Sequence, residues 1–243
     1  MKIKKNLFAL LSFSITCVGF AQSVNTTDTR LLSEPAISEN HIAFVYAEDL
    51  WVADLNGSNP RRLTIDEGIE SNPVFSPDGS IIAFSAEYEG NTDVYTVPAT
   101  GGVPKRLTYH PYPDLVRDFT PDGKEVLFAS QRSIFTNRYT QLFTVPLSGG
   151  HTSNVSIPNA FWASYSPTGT HIAYTPIPDR FNQWKHYRGG TQSRIYIFDT
   201  ATQDVTEIPK PQSGSNDAQP IFIGLQYILK VIEMVSLICT LMI

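Results

Sequence analysis

Short stretches in which a large apolar residue alternates with a smaller or more polar one run along the chain, broken at regular intervals by turn residues. Ile81-Ile82-Ala83-Phe84, Glu125-Val126-Leu127-Phe128 and His171-Ile172-Ala173-Tyr174 form one set, with His41-Ile42-Ala43-Phe44 as an earlier copy. A second set lies downstream of the first: Asp49-Leu50-Trp51-Val52, Asp93-Val94-Tyr95-Thr96, Gln141-Leu142-Phe143-Thr144 and Arg194-Ile195-Tyr196-Ile197. A period of two predicts strands with two different faces. Turns then follow at Asn56-Gly57, Gly101-Gly102, Gly149-Gly150 and Thr202-Gln203. Arg61-Arg62-Leu63-Thr64 and Lys105-Arg106-Leu107-Thr108 close two of the units as a last strand.

The turns ahead of the first set repeat as well. Ser76-Pro77-Asp78-Gly79 recurs 44 residues later as Thr120-Pro121-Asp122-Gly123 and a further 46 later as Ser166-Pro167-Thr168-Gly169, while Ser38-Glu39-Asn40 is a shortened version. Proline presets φ at the second turn position, aspartate bonds back to its own backbone, and glycine tolerates positive φ, so the element joins two strands tightly. One unit therefore reads as a four-stranded antiparallel meander. Such a sheet has two apolar faces and cannot hide both alone, and stacking around a channel is the β-propeller solution. The expected fold is all-β, an incomplete β-propeller with blades at about 31–64, 65–108, 109–156 and 157–209. A fifth blade starts over 210–224, where Ala218-Gln219-Pro220-Ile221-Phe222 matches Ser71-Asn72-Pro73-Val74-Phe75.

Both ends of the chain depart from this pattern. Lys2, Lys4 and Lys5 precede an uncharged, mostly apolar run to Phe20, and Gly19-Phe20-Ala21 offers small residues where a signal peptidase reads. Cleavage after Ala21 and export to a periplasm-like compartment are expected, with 22–30 as a linker. After Gly224 the composition shifts, and 225–243 reads as an aberrant hydrophobic tail. Lys230 and Glu233 make it a poor membrane span. An amphipathic helix carrying both charges on one face is a second reading. A frame shift or truncation within the fifth blade is the third and preferred one, because a repeat abandoned in mid-unit breaks the neighbour-stacking logic.

Composition narrows the function. The 243 residues are 42% hydrophobic and 17% charged, which fits a folded domain, and the net charge of −5 becomes more negative once the three signal lysines leave. Nucleic acid is a poor partner for such a chain, since phosphate contacts need clustered Lys and Arg. Cys17 leaves with the signal, so Cys239 has nothing to pair with.

The fourth unit holds a more specific signature. Trp184-Lys185-His186-Tyr187-Arg188-Gly189-Gly190, leading into Arg194-Ile195-Tyr196-Ile197-Phe198-Asp199, resembles a segment in the first propeller of tricorn-type serine peptidases and their exported bacterial homologues. Ile42 to Leu55, with Asp49-Leu50-Trp51, is similar to the start of that propeller, and the Ser-Pro-Asp-Gly and Arg-Leu-Thr repeats look like those of TolB-type propellers. The resemblance spans about Leu31 to Gly224. It implies a six-bladed first propeller, followed in the whole enzyme by a second propeller, a PDZ domain and a serine-nucleophile core. Those later elements lie outside this chain, so no catalytic residue is carried over. The implied role is admission or filtering of peptides, with peptides, proteins and the rest of the peptidase as partners. A TolB-type interaction propeller without peptidase activity is the alternative.

The residues themselves offer little chemistry. No Gly-x-Ser-x-Gly elbow appears, and the turn serines bond their local backbone. His110, His151 and His186 lack metal-ligand spacing, so no metal or cofactor is expected, and a propeller sugar lyase, which needs a histidine cluster, is disfavoured. Two loops between second and third strands carry the candidate substrate-binding residues. The insertion Pro176 to Thr191 holds Trp184, Lys185 and Arg188, and the corresponding loop of the third unit holds Arg132 and Arg138. Loops on one propeller face commonly form the binding face, and a local basic rim on an acidic chain could steer peptide carboxylates. Packing between blades is the competing role for Trp184 and the arginines.

Overall fold

The computed structural model describes residues 31–134, 139–178, 192–210, 216–223 and 226–232. Within them the chain is all β. The first sheet contains β1 (Leu32–Ile37), β2 (His41–Tyr46), β3 (Asp49–Asp54) and β4 (Arg61–Arg62) in sequential order. The second has β5 (Glu70–Phe75), β6 (Ile81–Glu87), β7 (Thr92–Pro98) and β8 (Lys105–Arg106), and the third β9 (Asp114–Phe119), β10 (Glu125–Ser130), β11 (Gln141–Pro146) and β12 (Ser153–Asn154). The fourth has β13 (Trp162–Tyr165), β14 (His171–Thr175), β15 (Tyr196–Asp199) and β16 (Val205–Glu207). Each is an antiparallel meander. The first strands β1, β5, β9, β13 and β17 (Asn216–Ile223) lie side by side around the common axis.

The segment after Gly224 does not abandon the repeat at once. Gln226–Ile232 forms β18, antiparallel to β17 with Ile221 opposite Ile228 and Phe222 opposite Tyr227. Its apolar and β-branched residues suit a strand even though the composition has shifted.

Strand alternation decides which residues meet across the blades. Ile82, Phe84 and Ala86 of β6 face the first sheet, while Ala83 on the same strand faces the third. In β10 the sides are again divided: Val126 and Phe128 face the second sheet, Leu127 and Ala129 the fourth. The second, third and fourth blades thus each present an aromatic cross-strand pair to the blade before it, namely Phe84 with Tyr95, Phe128 with Phe143, and Tyr174 with Tyr196. Fully burying such a side chain is worth roughly 1.5–3 kcal/mol, and that burial is what holds one sheet to the next.

Two sequence motifs have clear structural duties. Thr64 and Thr108, ending the Arg-Leu-Thr runs, accept from the amides of Leu50 and Val94 at 2.9 and 3.0 Å, tying the fourth strand to the third. In the Pro-Asp-Gly turns Ser76 Oγ donates to Asp78 at 2.6 Å and accepts from Ile81 N at 3.0 Å. Successive turns also stack. Gly169 has φ +72°, a conformation that favours glycine, and a Cβ there would crowd Pro121 of the preceding turn at 3.2 Å.

Candidate binding site on the propeller axis

The innermost strands are irregular in a repeated way. Register shifts occur between Ser33 and Ala36, between Ser71 and Val74, and between Ala218 and Ile221. At the centre of each bulge a residue preceding proline takes positive φ: Glu34 at 50°, Asn72 at 52° and Gln219 at 49°. Bulges re-aim side chains, and a non-glycine residue in this region costs of order 1–3 kcal/mol, so three equivalent cases mark a constrained site.

Arg117 of β9 joins this region together. Its Nη1 donates to Asn72 Oδ1 at 2.5 Å and its Nε to the Phe161 carbonyl, while its guanidinium lies 4.1 Å from the Trp162 ring centroid and 4.5 Å from that of Phe161. Glu34 accepts from the Asn72 amide, so contacts run continuously from the first blade to the fourth. Beside it, Asp118 accepts from the Tyr165 and Phe119 amides, each at 2.8 Å, and burial pushes its carboxyl up to about 6. Arg117 is buried and acts as a brace, and the amide, carboxylate and indole of Asn72, Glu34 and Trp162, which keep exposed surface, are groups that recognise polypeptide by hydrogen bonding and stacking.

A second series of carboxylates begins the inner strands. Glu70, Asp114 and Asp217 occupy equivalent positions and are all buried. Tyr88 donates to Glu70 at 2.6 Å, and burial pushes Glu70 up to about 7. Asp114 instead pairs with Arg132 at 2.5 Å.

That pair fixes one of the residues proposed from the sequence. Arg132 also donates to Thr152 Oγ1 at 2.8 Å and lies 4.8 and 5.2 Å from the Phe128 and Phe143 ring centroids. Its guanidinium is engaged inside the third blade. Arg138, Trp184, Lys185 and Arg188 lie outside the described residues. No chemical motif marks the axial residues in the sequence; the Glu34-Pro35, Asn72-Pro73 and Gln219-Pro220 pairs are the signal that locates them.

Little here resembles a nucleophilic centre. The nearest arrangement is Thr170, whose hydroxyl is 2.9 Å from His171 Nδ1, with His171 Nε2 3.6 Å from Asp199. The latter separation is too long for a hydrogen bond, and the Thr170 hydroxyl is shared with Thr168 in an exposed turn. Among the described residues no group of three His, Cys, Asp or Glu could hold a metal ion.

Residues 29–229 match the family described as the tricorn protease N-terminal beta propeller domain. The chain belongs to that family. It is 30% identical over 163 residues to Tricorn protease homolog 1 of Streptomyces coelicolor (strain ATCC BAA-471 / A3(2) / M145), a match covering 64% of this chain and 14% of that protein. Among solved structures, the crystal structure of the tricorn protease superposes with a TM-score of 0.68 at 24% identity, over 82% of this chain and 20% of that one. The putative TolB from Agrobacterium tumefaciens gives 0.67 at 20% identity, over 84% of this chain and 70% of that one. These two likenesses establish the propeller fold shared by tricorn and TolB-type proteins.

Proposed function

We propose that this chain is the N-terminal propeller region of an exported tricorn-type serine peptidase, and that its role is to admit or filter peptides for a catalytic core carried elsewhere. The family match over residues 29–229 carries this reading. The axial set of Glu34, Asn72 and Trp162, braced by the buried Arg117, supports it chemically, because hydrogen-bonding groups beside an indole suit a polypeptide. Arg138, Trp184, Lys185 and Arg188 are the substrate-steering residues in this reading. Arg132, paired with Asp114, lies at the start of the same interstrand segment.

An intact homologue with Arg188→Ala and Trp184→Ala at the corresponding positions should turn over long peptides with a raised KM and an unchanged kcat. Unaltered KM for long and short peptides alike would overturn the steering role. Export is checked separately: the N-terminus of the protein recovered from the periplasm should be Gln22. Accumulation of the uncleaved chain inside the cell would remove export from the reading.

The similarity to the putative TolB, which spans 70% of that chain, favours one alternative, an interaction propeller without a peptidase. Co-purification of this chain with a serine-peptidase subunit supports the first reading. Co-purification with envelope proteins and no peptidase supports the second.

A further inference from the structure

Three equivalent loops between blades treat the same position differently. The residue two places after Leu63, Leu107 and Val155 is Ile65, Tyr109 and Ile157, with exposures of 79%, 73% and 1%. Ile157 enters the core between the third and fourth sheets. Ile65 and Tyr109 remain in solvent, and Ile69 and Tyr112 on the same two loops are exposed beside them. Scattered exposed apolar residues are ordinary, but a joined set marks an interaction surface.

The turn between β6 and β7 does the joining. Glu87 N donates to the Ile69 carbonyl at 3.1 Å on one side, and Asn91 Nδ2 donates to the His110 carbonyl at 2.6 Å on the other. Arg106 lies 4.5 Å from the Tyr109 ring centroid and pairs with Glu89 at 2.6 Å. The loops that carry Ile65, Ile69, Tyr109 and Tyr112 therefore flank this turn on its two sides and form one strip at the end of the second blade.

The charge of that strip selects the partner. Asp66, Glu67 and Glu87 are exposed, and none has an ion-pair partner among the described residues. Arg106 is matched by both Asp93 and Glu89 and offers no balancing charge. Apolar contact area surrounded by unmatched acids complements a chain that carries both features in reverse.

We propose that this strip docks a cationic polypeptide segment in which Lys or Arg alternates with aromatic or aliphatic residues. Anionic lipid and nucleic acid are repelled by the same acids. Docking here does not depend on peptide admission at the axis, since it uses loops of the first two blade junctions only.

Fluorescence anisotropy with the full chain tests it, using two short labelled peptides that share their apolar residues and differ in carrying Lys or Glu between them. The Lys peptide should bind, more weakly as salt rises, and the Glu peptide should not. Glu67→Gln with Glu87→Gln, and separately Ile65→Ser with Tyr109→Ser, should each weaken the Lys peptide by about tenfold. Val103→Ser, at an 89% exposed position on the opposite face, should leave it unchanged. No binding of the Lys peptide, equal binding of both peptides, or indifference to both double variants would overturn the assignment.

Discussion

Glu70 and Asp114 stand 44 residues apart at the same place in two consecutive blades, and so do their partners Tyr88 and Arg132. Both carboxyls are buried and burial pushes both upward, yet the blades answer the cost differently. In the third blade a guanidinium, itself resting on Phe128 and Phe143, holds Asp114 as one half of an ion pair. In the second a phenol donates one hydrogen bond, leaving Glu70 at about 7. The repeat dictates an acid at the start of the inner strand; the residue 18 positions later decides whether a guanidinium or a phenol meets that acid.

The sharpest way to break this contrast is to remove the guanidinium. Arg132→Ala leaves Asp114 buried without its cation and should cost about 3–5 kcal/mol in urea unfolding. Arg132→Met with Asp114→Asn should recover much of that loss, because no uncompensated charge remains.

The second effect is a pH dependence that belongs to Glu70. Its folded-state pKa of about 7 lies above the ordinary 4.5, so the folded protein binds the extra proton. The contribution of Glu70 is then fully present below pH 4.5 and is lost as pH rises through about 7. Glu70→Gln should flatten the upper part of that fall. Asp118, at about 6 against an ordinary 3.8, leaves a residual slope in a lower window. Unfolding midpoints at a series of pH values separate the two; a Glu70→Gln profile parallel to the parent above pH 6 would refute the assignment.

Tyr88→Phe should have a smaller consequence, about 1 kcal/mol at pH 6, and should move the fall associated with Glu70 to higher pH by removing the hydrogen bond that favours its charged form. Smallest is Lys124→Ala. Its pair with Asp122 has side chains 79% and 55% exposed, and thermal unfolding should change by less than about 0.5 kcal/mol.

Much of the architecture was legible because its causes are local and repeated. Ser76, Asp78 and Gly79 act within a few residues of one another, so their recurrence announced the turns before any packing was known. Period-two alternation also announced two-faced strands, and Phe84 with Tyr95 shows the rule at work. Strand ends were less legible: the third strand of the fourth blade was read from Arg194 but begins at Tyr196, and Arg194 instead pairs with Glu207 at 2.7 Å. The composition shift predicts an aberrant tail over 225–243; its described part, Gln226–Ile232, pairs with β17, because pairing needs backbone register more than a familiar composition.

The candidate site was less legible for a physical reason. Arg132 looked like a surface cation beside aromatics, a description that fits a binding rim and an internal strut equally well. Its role follows from Asp114, which lies 18 residues away in sequence and 2.5 Å away in space. Arg117 stands in no recognisable motif, yet it links Asn72 to Phe161 and Trp162 across three blades.

The sequence by itself determined the turns, the alternation and hence the need for sheets to stack, since each depends on neighbours a few residues apart. Only the tertiary structure decided which acids are paired, which loop residues stay in solvent and which side chains meet near the axis. Those outcomes depend on distances between blades, and the repeat specifies a blade without specifying what the next one places against it.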